Sequence, residues 1–137
     1  MIAEKPGLTV APTQGCARYD MPLELKPLTA LTLWRDVTLG SVRSELPDLT
    51  QRQLAILLHV YLVPPPHTVR GLAQTLKVTK PAITRALDTL GRLGLLKRRR
   101  DEDDRRNVLV QRTVKGSVFL SDFGDRVAAT AGRFDTV

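Results

Sequence analysis

Three consecutive prolines, Pro64-Pro65-Pro66, constrain this chain more than any other feature. Proline has no amide proton and its ring clashes with the preceding turn, so no helix runs through them. The segments on either side must therefore be separate elements. Before the prolines, Thr50-Gln51-Arg52-Gln53 matches a capping box, with Leu49 and Leu54 placed as a hydrophobic staple. Leu54, Leu57, Leu58, Tyr61 and Leu62 then recur at helical spacing and predict a buried face rather than a ligand pocket. After the prolines, Thr68 and Thr79 are each placed to cap a helix. The first of these is short, with Val69, Leu72, Ala73 and Leu76 inward, and a turn at Lys77-Val78 ends it. The second has Pro81 in its first turn, where a missing amide is harmless, and Gly94 at its close. It is predicted over 80–93 with Ile83, Leu87 and Leu90 facing the core.

Two β-prone stretches follow, Leu95-Leu96-Lys97-Arg98-Arg99-Arg100 and Val108-Leu109-Val110-Gln111-Arg112, joined by the polar run from Asp101 to Asn107. They predict a hairpin over 97–112. Residues 1–27 carry Pro6, Pro12, Pro22 and Pro27 with Gly7 and Gly15, hold no period, and read as a flexible proline-rich arm. Leu28, Leu31, Leu39, Val42 and Leu46, with Trp34 beside them, predict a helix within 28–48, weakened by Gly40 and ended by Pro47. Thr113 can cap a last helix within 114–137, with Phe119, Leu120, Phe123, Val127 and Ala131 on one side. The fold class is mostly α with a small β-hairpin wing (α+β), and the winged helix-turn-helix unit spans 49–113.

Charge points the same way. The chain carries a formal net charge of +7, and residues 70–112 hold twelve Lys/Arg against five Asp/Glu. The rest of the chain holds nine of each, so the whole excess lies in that one block. A localised basic excess is the footprint of a nucleic-acid surface, where an ordinary soluble basic protein would spread its charge. Other chemistries find little support. The single Cys16 excludes an intrachain disulfide or a cysteine zinc cluster, and its arm setting, with only Arg18 as a nearby cation, argues against a reactive thiol. His59 on the polar side of its helix and His67 in a loop read as two distant histidines, so no metal and no cofactor is expected. No Ser–His–Asp setting, phosphate loop or H-E-x-x-H is present, and no catalytic residue is assigned. No apolar run reaches a membrane span, and Met1-Ile2-Ala3-Glu4-Lys5-Pro6 lacks the marks of a signal peptide. A cytoplasmic, nucleoid-associated protein is expected.

A short helix packed behind a second holds the second out from the body, where it fits the major groove of B-DNA. On the helix over 80–93 the outward positions are Lys80, Ala82, Thr84, Arg85, Asp88, Thr89 and Arg92. Arg85 suits a bidentate contact to guanine, while Thr84 and Ala82 suit a base edge or thymine methyl. Thr79 and Lys80 lie at the helix N-terminus, where free amides and the dipole favour a phosphate. In the wing, Arg105 and Arg106 follow four acids, of which Asp104 is placed to pair with an arginine and fix the loop. An arginine at the tip can enter a narrow minor groove. Arg98, Arg99 and Arg100 read either as a solvated edge or as phosphate contacts, and their place beside the wing favours the latter.

At these residues the chain resembles the MarR family of bacterial regulators. The resemblance runs through Leu72-Ala73, Leu76, Val78-Thr79-Lys80-Pro81-Ala82-Ile83-Thr84-Arg85-Ala86-Leu87-Asp88-Thr89-Leu90, Gly94-Leu95-Leu96-Lys97-Arg98, Asp104-Arg105-Arg106, Val108, Val110, Thr113 and Gly116. It implies a homodimer joined through the N- and C-terminal helices and bound to a pseudo-palindromic double-stranded DNA site. It implies that Thr79, Lys80, Pro81, Thr84 and Arg85 face the major groove, and that Asp104 and Arg106 shape and tip the wing. It also implies a pocket for a small-molecule effector, of unidentified chemistry, between the dimerising and DNA-binding parts. The chain departs from the pattern in its short region after Thr113 and its proline-rich arm. Two other functions are compatible with the fold: a low-specificity architectural DNA binder, and a winged-helix protein-interaction module. Arg85 and Thr84 argue against the first, because phosphate binding alone needs no base readers. The basic block argues against the second.

Overall fold

A computed structural model describes residues 25–134. The expectations for the arm before residue 25, for Cys16 and Arg18, and for residues 135–137 lie outside the described residues. Five helices and one hairpin follow in order: α1 (Pro27–Arg43), α2 (Gln51–Leu62), α3 (Val69–Leu76), α4 (Lys80–Arg92), β1 (Leu96–Arg100), β2 (Val108–Arg112) and α5 (Val114–Gly132). Among the described residues no helix is long and apolar enough to cross a membrane.

The helix starts follow from side-chain capping. Thr50 accepts from the Gln53 amide while Gln53 Oε1 accepts from the Thr50 amide, at 3.2 and 2.9 Å. Thr68 accepts from Gly71 N at 2.9 Å, Thr79 from Ala82 N at 3.3 Å, and Thr113 from Gly116 N at 3.0 Å. Each satisfies an amide that the helix itself leaves unpaired, worth about 1 kcal/mol. The α3–α4 turn is made by Lys77, which takes a left-handed conformation at φ 55°. α4 ends in a Schellman closure: Leu95 N donates to Leu90 O at 2.9 Å, and Gly94 N to Gly91 O at 3.0 Å. Gly94 has φ +75°, so a side chain there would be strained. α1 departs from expectation at both ends. Pro27 is its first residue rather than the last of the arm, and the helix stops at Arg43, ahead of Pro47.

One core holds the centre. Ile56, Leu57, Val60 and Tyr61 from α2 meet Leu72 and Ala73 from α3 and Ile83, Ala86, Leu87 and Leu90 from α4, closed by Leu95, Leu96, Val110 and Leu120. The predicted inward face of α2 is therefore rotated. Leu57 and Tyr61 are buried, Leu54 and Leu58 are half-buried, and Leu62 is 48% exposed, while Ile56 and Val60 take the centre. α2 is covered from more than one side, so its apolar residues span a wider arc than a single stripe. The hairpin is antiparallel, with Leu96 opposite Arg112 and Arg100 opposite Val108. Its inner face carries Leu96 and Val110, with β1 packed on α4 and β2 on α2 and α3.

The wing passes into α5 through a bracket built on Tyr61. Its buried hydroxyl lies 2.8 Å from Leu95 O and accepts from Thr113 N at 2.8 Å, while Thr113 Oγ1 donates to Gly94 O at 2.7 Å. Gly116 packs against this bracket so closely that a Cβ there would overlap the Tyr61 hydroxyl and the Leu95 carbonyl.

Candidate nucleic-acid interface

α3 buries Leu72 and Ala73 behind α4, and α4 buries Ile83, Ala86, Leu87 and Leu90 in return. That packing leaves the opposite face of α4 in solvent. Lys80, Pro81, Thr84 and Arg85 are exposed there, and Ala82 and Thr89 are half-buried. Thr89 receives the Arg92 guanidinium at 3.2 Å, which ties two polar positions of this face together. The helix N-terminus is less open than its amides suggested. Pro81 has none, Ala82 N is held by the Thr79 hydroxyl and Ile83 N by the Thr79 carbonyl. A phosphate there would meet the Lys80 amide, the dipole and the Lys80 side chain, rather than a full turn of free donors.

Arg98 is not a free cation. Its guanidinium pairs with Asp88 of α4 at 2.5 Å, which joins the recognition helix to the first strand of the wing. Both groups are partly exposed, so the pair adds little stability. The periodicity of α4 marks Asp88 only as an outward position; nothing in the spacing of Asp88 and Arg98 announces that they meet, because the contact depends on where the hairpin folds back. Arg100 is exposed at the outer end of β1. Arg99 reaches Glu102 at 3.3 Å.

The wing tip is organised by its acids. Asp104 Oδ1 accepts from both the backbone amide and Nε of Arg106, each at 3.1 Å. These two bonds, side chain first, hold the Asp104 carboxyl below the ordinary carboxylate range, and Arg70 of α3 adds to the effect. Asp101 accepts from Asp103 N at 3.0 Å, and Asn107 N donates to Asp104 O at 2.9 Å. The acid run thus folds the loop, and it leaves Arg105 and Arg106 exposed at its end. Arg70 is a contributor that only the fold brings to the wing.

On the far side, α1 and α5 pack together but cover little of each other. Leu28, Leu31, Trp34 and Val42 of α1 and Val118 of α5 are exposed, and only Val37 of α1 is buried. A cavity of about 210 Å³ lies between α1, α2 and α5, lined among others by Trp34, Leu46, Leu54, Phe119, Phe123 and Arg126. The histidines are not distant: the rings of His59 and His67 meet edge to face at 5.3 Å. Among the described residues no group of three or more His, Cys, Asp or Glu could hold a metal ion.

A capped helix pair, an exposed second helix and a two-stranded hairpin with arginines at its tip define a winged helix-turn-helix protein. Residues 48–107 match the family model for the MarR family. Among solved structures it is similar to the transcriptional regulator BldR from Sulfolobus solfataricus, with 28% identity, 80% of this chain and 83% of that chain covered, and a TM-score of 0.55. It is similar to a MarR-family transcriptional regulator from Rhodococcus sp. RHA1, with 26% identity, coverage of 80% and 74%, and a TM-score of 0.59. Streptococcus pneumoniae FabT, solved in complex with DNA, has the same fold at 23% identity, coverage of 80% and 76%, and a TM-score of 0.63.

Proposed function

We propose that the chain is a sequence-specific double-stranded DNA-binding transcriptional regulator that acts as a homodimer on a pseudo-palindromic site. The observation that carries this reading is the juxtaposition, inside the one basic block of the chain, of an exposed Thr84–Arg85 face on α4 with an arginine-tipped wing. α4 enters the major groove, where Arg85 reads guanine and Thr84 and Ala82 read a neighbouring base edge or methyl. Lys80, Pro81, Thr79 and Thr89 line the groove walls. Arg105 and Arg106 reach the flanking minor groove, with Asp104 holding Arg106 in place, and Arg100 meets phosphate. Arg98 serves through its pair with Asp88, by setting the wing angle.

The apolar face of α1 with α5 is where the second copy sits. Burying Leu28, Leu31, Trp34 and Val42 against themselves across a two-fold axis spaces two recognition helices for successive major grooves. A small-molecule effector would enter the cavity beside Trp34, Phe119 and Phe123, between the dimerising helices and the core. A cytoplasmic, nucleoid-associated location follows from this function. BldR and the Rhodococcus relative are transcriptional regulators by name, which supports the reading.

Selection from a random duplex library, at fixed salt near 150 mM because phosphate contacts make affinity salt-dependent, tests it. An enriched inverted repeat is expected. Binding without enrichment would give the function to the architectural alternative, and no binding at all would turn the basic face toward a protein partner.

A further inference from the structure

The prolines after α2 decide where the sheet stops. On the outer edge of β2, Val110 N donates to His67 O at 2.8 Å, and Thr68 forms an antiparallel bridge with Leu109. Continued along the chain, this pairing would set Pro66 opposite Gln111 and Pro65 opposite Arg112. Neither proline has an amide to donate, so the pairing ends at His67. The loop stands off from the end of β2, and a cleft of about 400 Å³ opens there. That volume is of the size that small molecules occupy. Buried Val60 and Val110 form its floor, Pro65 one wall, and Lys97, Gln111 and Arg112 its polar rim. Lys97 and Gln111 stand opposite each other across the hairpin.

The rim is positively charged and nothing offsets it. Among the described residues no acidic side chain lines the cleft, and Lys97, which is exposed, enters no ion pair. Arg112 donates through Nε to Val60 O at 2.9 Å and through Nη2 to Val63 O at 3.1 Å, two carbonyls at the end of α2. Its guanidinium also lies 5.8 Å from the centre of the Tyr61 ring. These partners are neutral, so the cation keeps its charge uncompensated. A guanidinium carries its N–H donors in a rigid fork. The Nε side of the fork is taken by the carbonyls, and the Nη1–Nη2 edge remains for a bidentate acceptor such as a carboxylate. The carbonyls also fix the ion before any ligand arrives, which lowers the ordering cost of binding. The floor argues for a small ligand over the DNA backbone, because a phosphate has nothing apolar to lay on Val60 and Val110.

We propose that this cleft binds a small amphiphilic carboxylate, its head paired with Arg112 and Lys97 and its apolar body laid on Val60 and Val110. The site is separate from the cavity between α1, α2 and α5, and it stands whether or not the chain binds DNA. A ligand there joins both strands of the wing to the loop that follows α2.

Hexanoate is the probe and hexanamide its uncharged counterpart. The full chain is titrated with each at neutral pH while the backbone amides are followed by NMR. Hexanoate should shift the amides of Val110, Gln111 and Arg112, and hexanamide should bind at least about tenfold more weakly. Gln111→Glu sets a like charge beside the head and should weaken hexanoate about fivefold or more. Lys97→Gln should weaken it about threefold. Arg112→Gln would also release the end of α2, so the two milder variants carry the test. No shift at residues 110–112, equal binding of hexanamide, or a hexanoate affinity unchanged by Gln111→Glu overturns the site. Shifts confined to Phe119 and Phe123 overturn it as well, because they put the probe in the other cavity. If a DNA duplex displaces hexanoate and Lys97→Gln lowers the salt slope of DNA affinity by about one ion, the cleft is a backbone contact and the proposal fails.

Discussion

The reading head and the α1–α5 side of this molecule are both amphipathic helix pairs, yet they are finished to different degrees. α4 buries four of its 13 residues and α1 one of its 17. Around α4 the apolar residues are buried against α2, α3 and the hairpin. Leu28 of α1, 77% exposed, and Trp34, 52% exposed, are left open among the described residues. One region is complete as a monomer. Under the proposed function the other is half of an interface, because a contiguous apolar face of this kind is rarely left in water.

The contrast can be broken first at Gly116. Gly116→Ala drives a methyl into the Tyr61–Leu95 bracket, and a loss of about 4 kcal/mol or more is expected in chemical denaturation, with the DNA-reading surface lost at the same time. A fully stable alanine variant would mean that the bracket yields easily. Next comes Trp34→Asp, which places a charge on the unfinished face. Sedimentation should report a folded monomer, and affinity for the inverted repeat should fall about a hundredfold or more, as the second half-site loses its tethered partner. A charged variant that remains dimeric would move the interface elsewhere.

Smaller effects belong to the finished region. Arg85→Ala should cost about 1–3 kcal/mol of binding and relax the preference at one base position. Equal weakening on every sequence would make Arg85 a phosphate contact. Smallest is the wing tip. Asp104→Asn should alter only flank preference, since it loosens Arg106 without removing it. The wild-type pin should hold above the ordinary carboxylate range and be lost as pH falls through the lowered Asp104 pKa. Affinities for duplexes with narrow and wide flanking grooves, compared between variant and wild type, would measure it, and identical flank preferences would take Asp104 out of the wing.

The elements were legible in the sequence because their signals are local. Thr50, Thr68, Thr79 and Thr113 each cap within three residues of themselves, Pro64-Pro65-Pro66 and Gly94 stop helices by backbone geometry alone, and the basic block is a count along the chain. The inward face of α4 followed from its periodicity, since one side of that helix is buried and the other is wet. The face of α2 did not, since the helix is surrounded, and periodicity loses its meaning when several sides are covered. The pairs that cross between elements were equally invisible: Asp88 with Arg98, Arg70 acting on Asp104, Arg112 on the end of α2, and the two histidine rings in contact. Sequence by itself determined where α2, α3, α4 and α5 begin and which block carries the charge, because capping, ring strain and charge are properties of neighbouring residues. Only the tertiary structure decided which charges are free to meet a partner and which are already spent on holding the wing, because that depends on distances between residues the chain brings together from far apart.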